Sequence, residues 1–126
     1  MSFRYFIPVL LFASLHISVN AYAKTFRFDC NDDKKNSLQF DLDSKYINVN
    51  SKTTETMDLQ FVFNGETHVW KGAEFLSLAV GDGQYGTFFK NSSLDIIYLE
   101  VTDNKPMVEM NLKLQGYDLV CTQTSL

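Results

Sequence analysis

Leu59-Gln60-Phe61-Val62-Phe63-Asn64-Gly65-Glu66-Thr67-His68-Val69-Trp70 reads as a β-hairpin before the rest of the chain is considered. Asn and Gly both tolerate positive φ, so Asn64-Gly65 suits the centre of a type I′ turn, whose twist matches that of the strands it joins. A two-residue turn fixes register: Phe63 falls opposite Glu66, Phe61 opposite His68 and Leu59 opposite Trp70. Opposed residues share a face. Leu59, Phe61 and Trp70 therefore form an aromatic-rich patch with His68 on its flank, while Gln60, Val62, Thr67 and Val69 form a semi-polar reverse.

The same period of two continues outward from this hairpin. Upstream, Phe26, Phe28 and Cys30 alternate with Thr25, Arg27 and Asp29. Leu38, Phe40 and Leu42 alternate with Gln39 and Asp41, and Ile47 and Val49 with Tyr46 and Asn48. Each pattern predicts a strand with one wet face. Polar turns at 31–36 and Asp43-Ser44 separate them, and Ser51 to Asp58 reads as an exposed connection. Downstream of Lys71-Gly72, Leu76, Leu78 and Val80 share a face. Tyr85 to Lys90 follows, with Phe88-Phe89 breaking the alternation, so one ring faces outward or the strand bulges. Asn91-Ser92-Ser93 turns the chain into Leu94 to Val101, with Ile97, Leu99 and Val101 aligned. Val108, Met110, Leu112 and Leu114 alternate with Glu109, Asn111 and Lys113, and Gln115-Gly116 precedes Tyr117, Leu119 and Cys121. No helical period occurs after Lys24. Eight to ten short strands joined by brief turns predict an all-β fold, either an antiparallel up-and-down barrel or a flattened sandwich.

The first twenty-three residues read differently. Met1 to Arg4 carries one base and no acid, Tyr5 to Val19 is almost wholly apolar, and Ala21-Tyr22-Ala23 places small residues where a signal peptidase reads. This tripartite pattern predicts a cleaved signal peptide at 1–23 and a single domain at 24–126. The apolar run is too short to cross a bilayer comfortably, and Pro8 and His16 interrupt it. Export makes the periplasm or the exterior the expected location. There the two cysteines, Cys30 and Cys121, are expected to form a disulfide joining the first strand to the last. Such a bond stabilises a small domain by roughly 4 kcal/mol through the denatured chain.

Charge narrows the partners. The chain holds 11 Lys and Arg against 15 Asp and Glu, and loss of Arg4 with the leader takes its net charge from −4 to about −5. Nucleic acid and anionic lipid both need clustered bases, so neither is expected. A basic protein can be steered in by such a field.

A catalytic set is not visible. After removal of the leader His68 is the only histidine, G-x-S-x-G is absent, and so are phosphate-cradling and dinucleotide motifs. One histidine cannot complete a zinc site. Asp29, Asp32 and Asp33, with Asp41 and Asp43 nearby, offer oxygens to a hard cation, but the twelve-residue loop of a dedicated calcium site is missing. Solvated turn acids are the simpler reading, and no metal or other cofactor is expected. Asn91-Ser92-Ser93 matches a glycosylation sequon, which matters only in a eukaryotic host. Gly81-Asp82-Gly83-Gln84-Tyr85-Gly86 surrounds polar and aromatic residues with glycines. It reads either as an ordinary hairpin or as a loop that presents Tyr85 and nearby Lys90 to a partner.

In layout the chain resembles the small periplasmic inhibitors of c-type lysozymes. Phe26-Arg27-Phe28-Asp29-Cys30, the Phe61-Val62-Phe63-Asn64-Gly65 hairpin and Leu119-Val120-Cys121 occupy similar places. The resemblance implies an eight-stranded barrel with an early cysteine bonded to a late one. It also implies a recognition loop of the form Ser-Gly-x-x-Tyr followed by an aromatic strand ending in Lys-Gly. Gly83, Tyr85 and Lys90 carry over, Asp82 stands before Gly83 where serine is expected, and Asn91 replaces the final glycine. The expected partner-binding set is thus Asp82, Gly83, Tyr85, Phe88 and Lys90. The expected function is non-enzymatic: an exported protein that inhibits or neutralises a cell-wall-degrading enzyme, as a lysozyme inhibitor or a toxin immunity protein does. The alternatives are a carrier of a small hydrophobic ligand, which needs a hollow barrel, and a structural envelope protein that assembles through a strand edge.

Overall fold

The computed structural model describes residues 24–47, 54–81 and 84–126. The expected leader (1–23), Asn48 and Val49 of the expected third strand, Asp82, Gly83 and the side chain of Val80 lie outside the described residues. Eight antiparallel strands form one closed up-and-down barrel, which decides between barrel and sandwich. They are β1 Thr25–Asn31, β2 Ser37–Asp43, β3 Glu55–Phe63, β4 Glu66–Gly81, β5 Gln84–Lys90, β6 Ile96–Thr102, β7 Lys105–Leu112 and β8 Gln115–Ser125. β8 pairs back onto β1 from Phe26–Ser125 to Asn31–Val120. Cys30 and Cys121 fall directly opposite each other in that register and are joined by a disulfide. Among the described residues no helix is long and apolar enough to cross a membrane.

The hairpin has the register its turn dictates, with Phe63, Phe61 and Leu59 opposite Glu66, His68 and Trp70. Asn64 and Gly65 take φ of 52° and 81°, the left-handed pair a type I′ turn requires. Leu59, Phe61 and Trp70 are buried, with the Phe61 and Trp70 rings edge to face at 5.1 Å. Inward positions of the other strands add Phe28 stacked on Phe40 at 5.1 Å, together with Phe89, Leu99, Met110 and Leu119. Eight strands enclose a space that side chains can fill, and these buried side chains occupy it.

Among the described residues the expected segments resolve into eight strands, with two differences from the sequence pattern. Ser44–Tyr46 is a 3-10 turn in place of the start of a strand. The segments at 66–70 and 74–80 are one strand of 16 residues, β4, because Lys71-Gly72 forms a bulge and not a turn. Met57 faces Ala73 and Leu59 faces Trp70, so two residues of β4 oppose Asp58 alone. Gly72 supplies φ of +60°, and its N–H donates to Asp58 Oδ1 at 2.9 Å while Lys71 Nζ reaches Oδ2 at 3.3 Å. One extra residue moves the strand's odd positions inward. Ala73, Phe75 and Ser77 are therefore buried, and Leu76 and Leu78, expected to share a face, share the outer one.

The barrel has two unlike ends. The hairpin end carries the turns after β1, β3, β5 and β7 and is stitched by side chains. Asn64 Oδ1 accepts from Ser37 N at 2.7 Å, Asn64 Nδ2 donates to Asn36 Oδ1 at 3.0 Å, and Asp95 Oδ1 accepts from Lys113 N at 3.0 Å. The termini end carries Thr25, Ser125 and the 3-10 turn. There the Thr87 hydroxyl donates to the Tyr46 carbonyl oxygen at 3.2 Å and lies 3.2 Å from the Ser77 hydroxyl. Both Thr87 and Ser77 are wholly buried. Between β2 and β3 the ladder runs only from Leu38–Phe63 to Phe40–Phe61. Toward the termini end these two strands diverge around a hollow of about 430 Å³ bordered by Asp41, Met57 and Gln60.

Candidate functional site

Among the described members of the expected partner-binding set, Tyr85 does not share a surface with Phe88 and Lys90. Tyr85 lies at the termini end of β5 and points inward, 7 % exposed, with its hydroxyl bonded to Gln123. Burial pushes that phenol above its ordinary 10.0, and the hydrogen bond to Gln123 opposes the shift. Lys90 lies at the other end of the same strand, about 17 Å away for five extended residues. It faces outward and pairs with Glu74 at 3.5 Å. Of the two adjacent rings Phe89 is wholly buried and Phe88 is half-buried on the outer wall, so the broken alternation is one ring in and one ring out, without a bulge. Tyr85 is thus a core residue, which its position beside a glycine-rich loop concealed.

His68 stacks on Phe61 at 4.9 Å with the rings 9° from parallel, and Nε2 sits 3.5 Å from Glu66 Oε1. This is the partly buried strand histidine that the hairpin register implies. The acids near the first strands make local bonds. Asp32 accepts from Asn36 and from the Lys34 N–H, Asp29 accepts from Gln39, Asp43 accepts from Thr25, and Asp41 receives Arg27 through two bonds of 2.9 and 3.1 Å. No group of three or more His, Cys, Asp or Glu converges to hold a metal among the described residues.

The outer wall of β4–β8 carries an arrangement that the sequence pattern does not reveal. Leu76, Phe88, Tyr98, Glu109 and Asp118 are successive cross-strand neighbours, one on each strand. All five face outward, so an apolar and aromatic row runs into two carboxylates. A groove of about 480 Å³ follows this row, lined by Phe88, Ile96, Tyr98, Glu109, Asn111 and Asp118, with Gly116 leaving its floor open. Tyr98 lies flat because β5 offers no side chain beneath it: a Cβ at Gly86 would meet Tyr98 Cε1 at 2.9 Å. A ring laid over a glycine of the neighbouring strand gains contact that a larger residue would forbid. Burial raises the Tyr98 phenol above its ordinary value, and the negative charges of Glu100 and Glu109 raise it further. The phenol therefore stays protonated at neutral pH.

A second hollow, about 240 Å³, adjoins the groove through Gly116, Tyr117 and Asp118 and is bordered by Asp32 and Asp33. Two leucines stand at the same end. Leu94 and Leu114 take φ of 68° and 69° in their turns, and Leu114 is 96 % exposed. Asp95 and Lys113, the residues beside them, are bonded to each other, so the two turns adjoin.

No protein-family model, curated protein or solved structure matches the chain.

Proposed function

We propose that this chain is an exported, non-enzymatic binding protein that occupies and neutralises a basic cell-wall-degrading enzyme. The observation that carries the reading is the filled barrel. Phe28, Phe61, Phe89, Leu99 and Leu119 are each at most 1 % exposed and take the space a carried ligand would need. Recognition is left to the walls and turns of a frame tied between its first and last strands. An excess of acidic over basic residues favours a basic partner, and lysozyme-like enzymes are the class suggested by the layout of cysteines, hairpin and strands. Closure of the barrel also confines free strand edge to the β2–β3 joint, the one place where assembly through an edge would be possible.

The test is direct. The purified protein is mixed with a panel of c-type lysozymes and bacterial muramidases, and complex formation is followed alongside lysis of peptidoglycan. A stoichiometric complex with falling activity is expected. Absence of any complex across the panel at micromolar concentration ends the reading.

A further inference from the structure

We propose that the outer-wall groove of β5–β8 is a socket for an arginine side chain of a basic partner protein, the guanidinium stacking on Phe88 and Tyr98 and donating to Glu109 and Asp118. The socket rests on the reading of this chain as a protein-binding module, though not on the partner being a lysozyme.

The argument begins with register. Glu109 and Asp118 are direct cross-strand partners in an antiparallel pair, where like charges destabilise. No basic side chain pairs with either among the described residues. The β1–β2 wall is built the other way. There Arg27 faces Asp41, Thr25 faces Asp43 and Gln39 faces Asp29, each as a direct neighbour with a hydrogen bond of 2.7 to 3.1 Å. On the β7–β8 wall the donor is missing, and the groove stands where one would enter.

The neighbours of the carboxylates select the kind of donor. Tyr98 is the direct partner of Glu109, and Phe88 of Tyr98, so two aromatic faces border the charges. A planar cation suits this site better than a compact ammonium. Guanidinium stacks on rings, is more weakly hydrated and presents five N–H donors in a fork that two carboxylates can share. A hard metal ion is a poorer fit, since it wants six or more oxygens and the site offers two carboxylates. Glycine at position 116 keeps the approach open, for a Cβ there would find nothing closer than the Met110 carbonyl oxygen at 4.0 Å. Asp32 and Asp33 around the adjoining hollow extend the negative surface, with Lys34 the one base among its lining residues. A partner with a second cation beside its arginine is therefore favoured.

The experiment is an NMR titration of the isotopically labelled protein with a tetra-arginine peptide, a tetra-lysine peptide and a c-type lysozyme. It is repeated on Glu109→Gln/Asp118→Asn and on a control of equal charge change, Glu55→Gln/Glu66→Gln. All four residues are exposed, so both variants should fold, and the groove pair should melt slightly higher because a repulsion is removed. Tetra-arginine should shift the amides of Tyr98, Glu109, Gly116 and Asp118, bind several-fold more tightly than tetra-lysine, and lose at least tenfold in affinity in the groove variant but under twofold in the control. Equal loss in both variants overturns the socket in favour of diffuse electrostatics, and equal affinity for the two peptides overturns its preference for arginine. If no enzyme of the lysozyme and muramidase panel binds while tetra-arginine seats in the groove, the socket stands and the enzyme-neutralising reading falls. If the lysozyme binds at another surface while the groove stays silent to both peptides, the socket falls and the enzyme-neutralising reading stands.

Discussion

Breaking the Cys30–Cys121 bond should remove much of this protein's stability, and should do so mainly by freeing the unfolded chain. The two cysteines are 91 residues apart in sequence, nearly the whole described length. For a loop of that size the chain-entropy treatment returns about 15.5 cal/mol/K to the denatured ensemble, or about 4.6 kcal/mol at 25 °C. A domain near 100 residues holds only about 5–15 kcal/mol in all. In the native barrel the seam keeps its register without the bond, since β1 and β8 pair from Phe26–Ser125 to Asn31–Val120. Cys30→Ala/Cys121→Ala should therefore remain folded in water at 25 °C but unfold at much lower urea. Trp70, the single tryptophan, is buried against Phe61 and reports the transition by fluorescence. The expected result is a fall of about 4–5 kcal/mol in unfolding free energy, with a larger dependence on urea because the denatured chain expands. A loss below about 1 kcal/mol, with the urea dependence unchanged, would refute the reasoning.

Three further outcomes are expected. Thr87→Val removes the bonds that the wholly buried Thr87 hydroxyl makes to the Tyr46 carbonyl oxygen and the Ser77 hydroxyl and should cost about 1–2 kcal/mol in urea unfolding; a neutral effect would mean that water replaces the lost bonds. Lys113→Asn/Leu114→Gly relieves two residues held at φ of 51° and 69° and should stabilise by about 1–2 kcal/mol, read from the urea midpoint; no gain would show that the turn is held by its surroundings. Acid should destabilise the fold as pH drops below about 4. The Asn36 side chain holds Asp32 below its ordinary 3.8, and the Gly72 N–H followed by Lys71 does the same for Asp58. A depressed native pKa contributes stability above the unfolded value and loses it as pH falls through the folded one. Asp58→Ala should flatten the melting temperature between pH 2 and 6, and an unchanged slope would exclude Asp58 as a contributor.

Much of the fold is legible in the sequence because period-two alternation and a two-residue turn are local devices. The Asn64-Gly65 register needs nothing beyond its own twelve residues, and the pairing of Cys30 with Cys121 needs only their number and an oxidising setting. What escapes notice depends on the rest of the barrel. Lys71-Gly72 interrupts the apolar pattern, and only the partner strand, with Asp58 bonding to both residues, makes that interruption a bulge. That one added residue puts Phe75 on the inner face and Leu76 on the outer one. Leu114 completes an apolar alternation on paper and Leu94 opens an expected strand, yet both stand in tight turns, because strand lengths are set by neighbours and not by hydropathy. The outer row from Phe88 to Asp118 escapes for a related reason. Its members lie on four strands, and outward positions read singly are merely wet faces. The Tyr85 side chain, expected to meet a partner, is turned inward by the same parity that buries Thr87 and Phe89.

The short ladder between β2 and β3 has a consequence of its own. Beyond Phe40 and Phe61 these strands hold each other by no register, while two strands away the joint between β1 and β8 is welded by sulfur. Any breathing of the cylinder will start at the loose joint and leave the welded one closed. Opening would swing the β1–β2 flap outward on the β8 side as a door turns on its hinge, and hydrogen exchange would mark Asp41 to Asp43 and Met57 to Gln60 as the jamb.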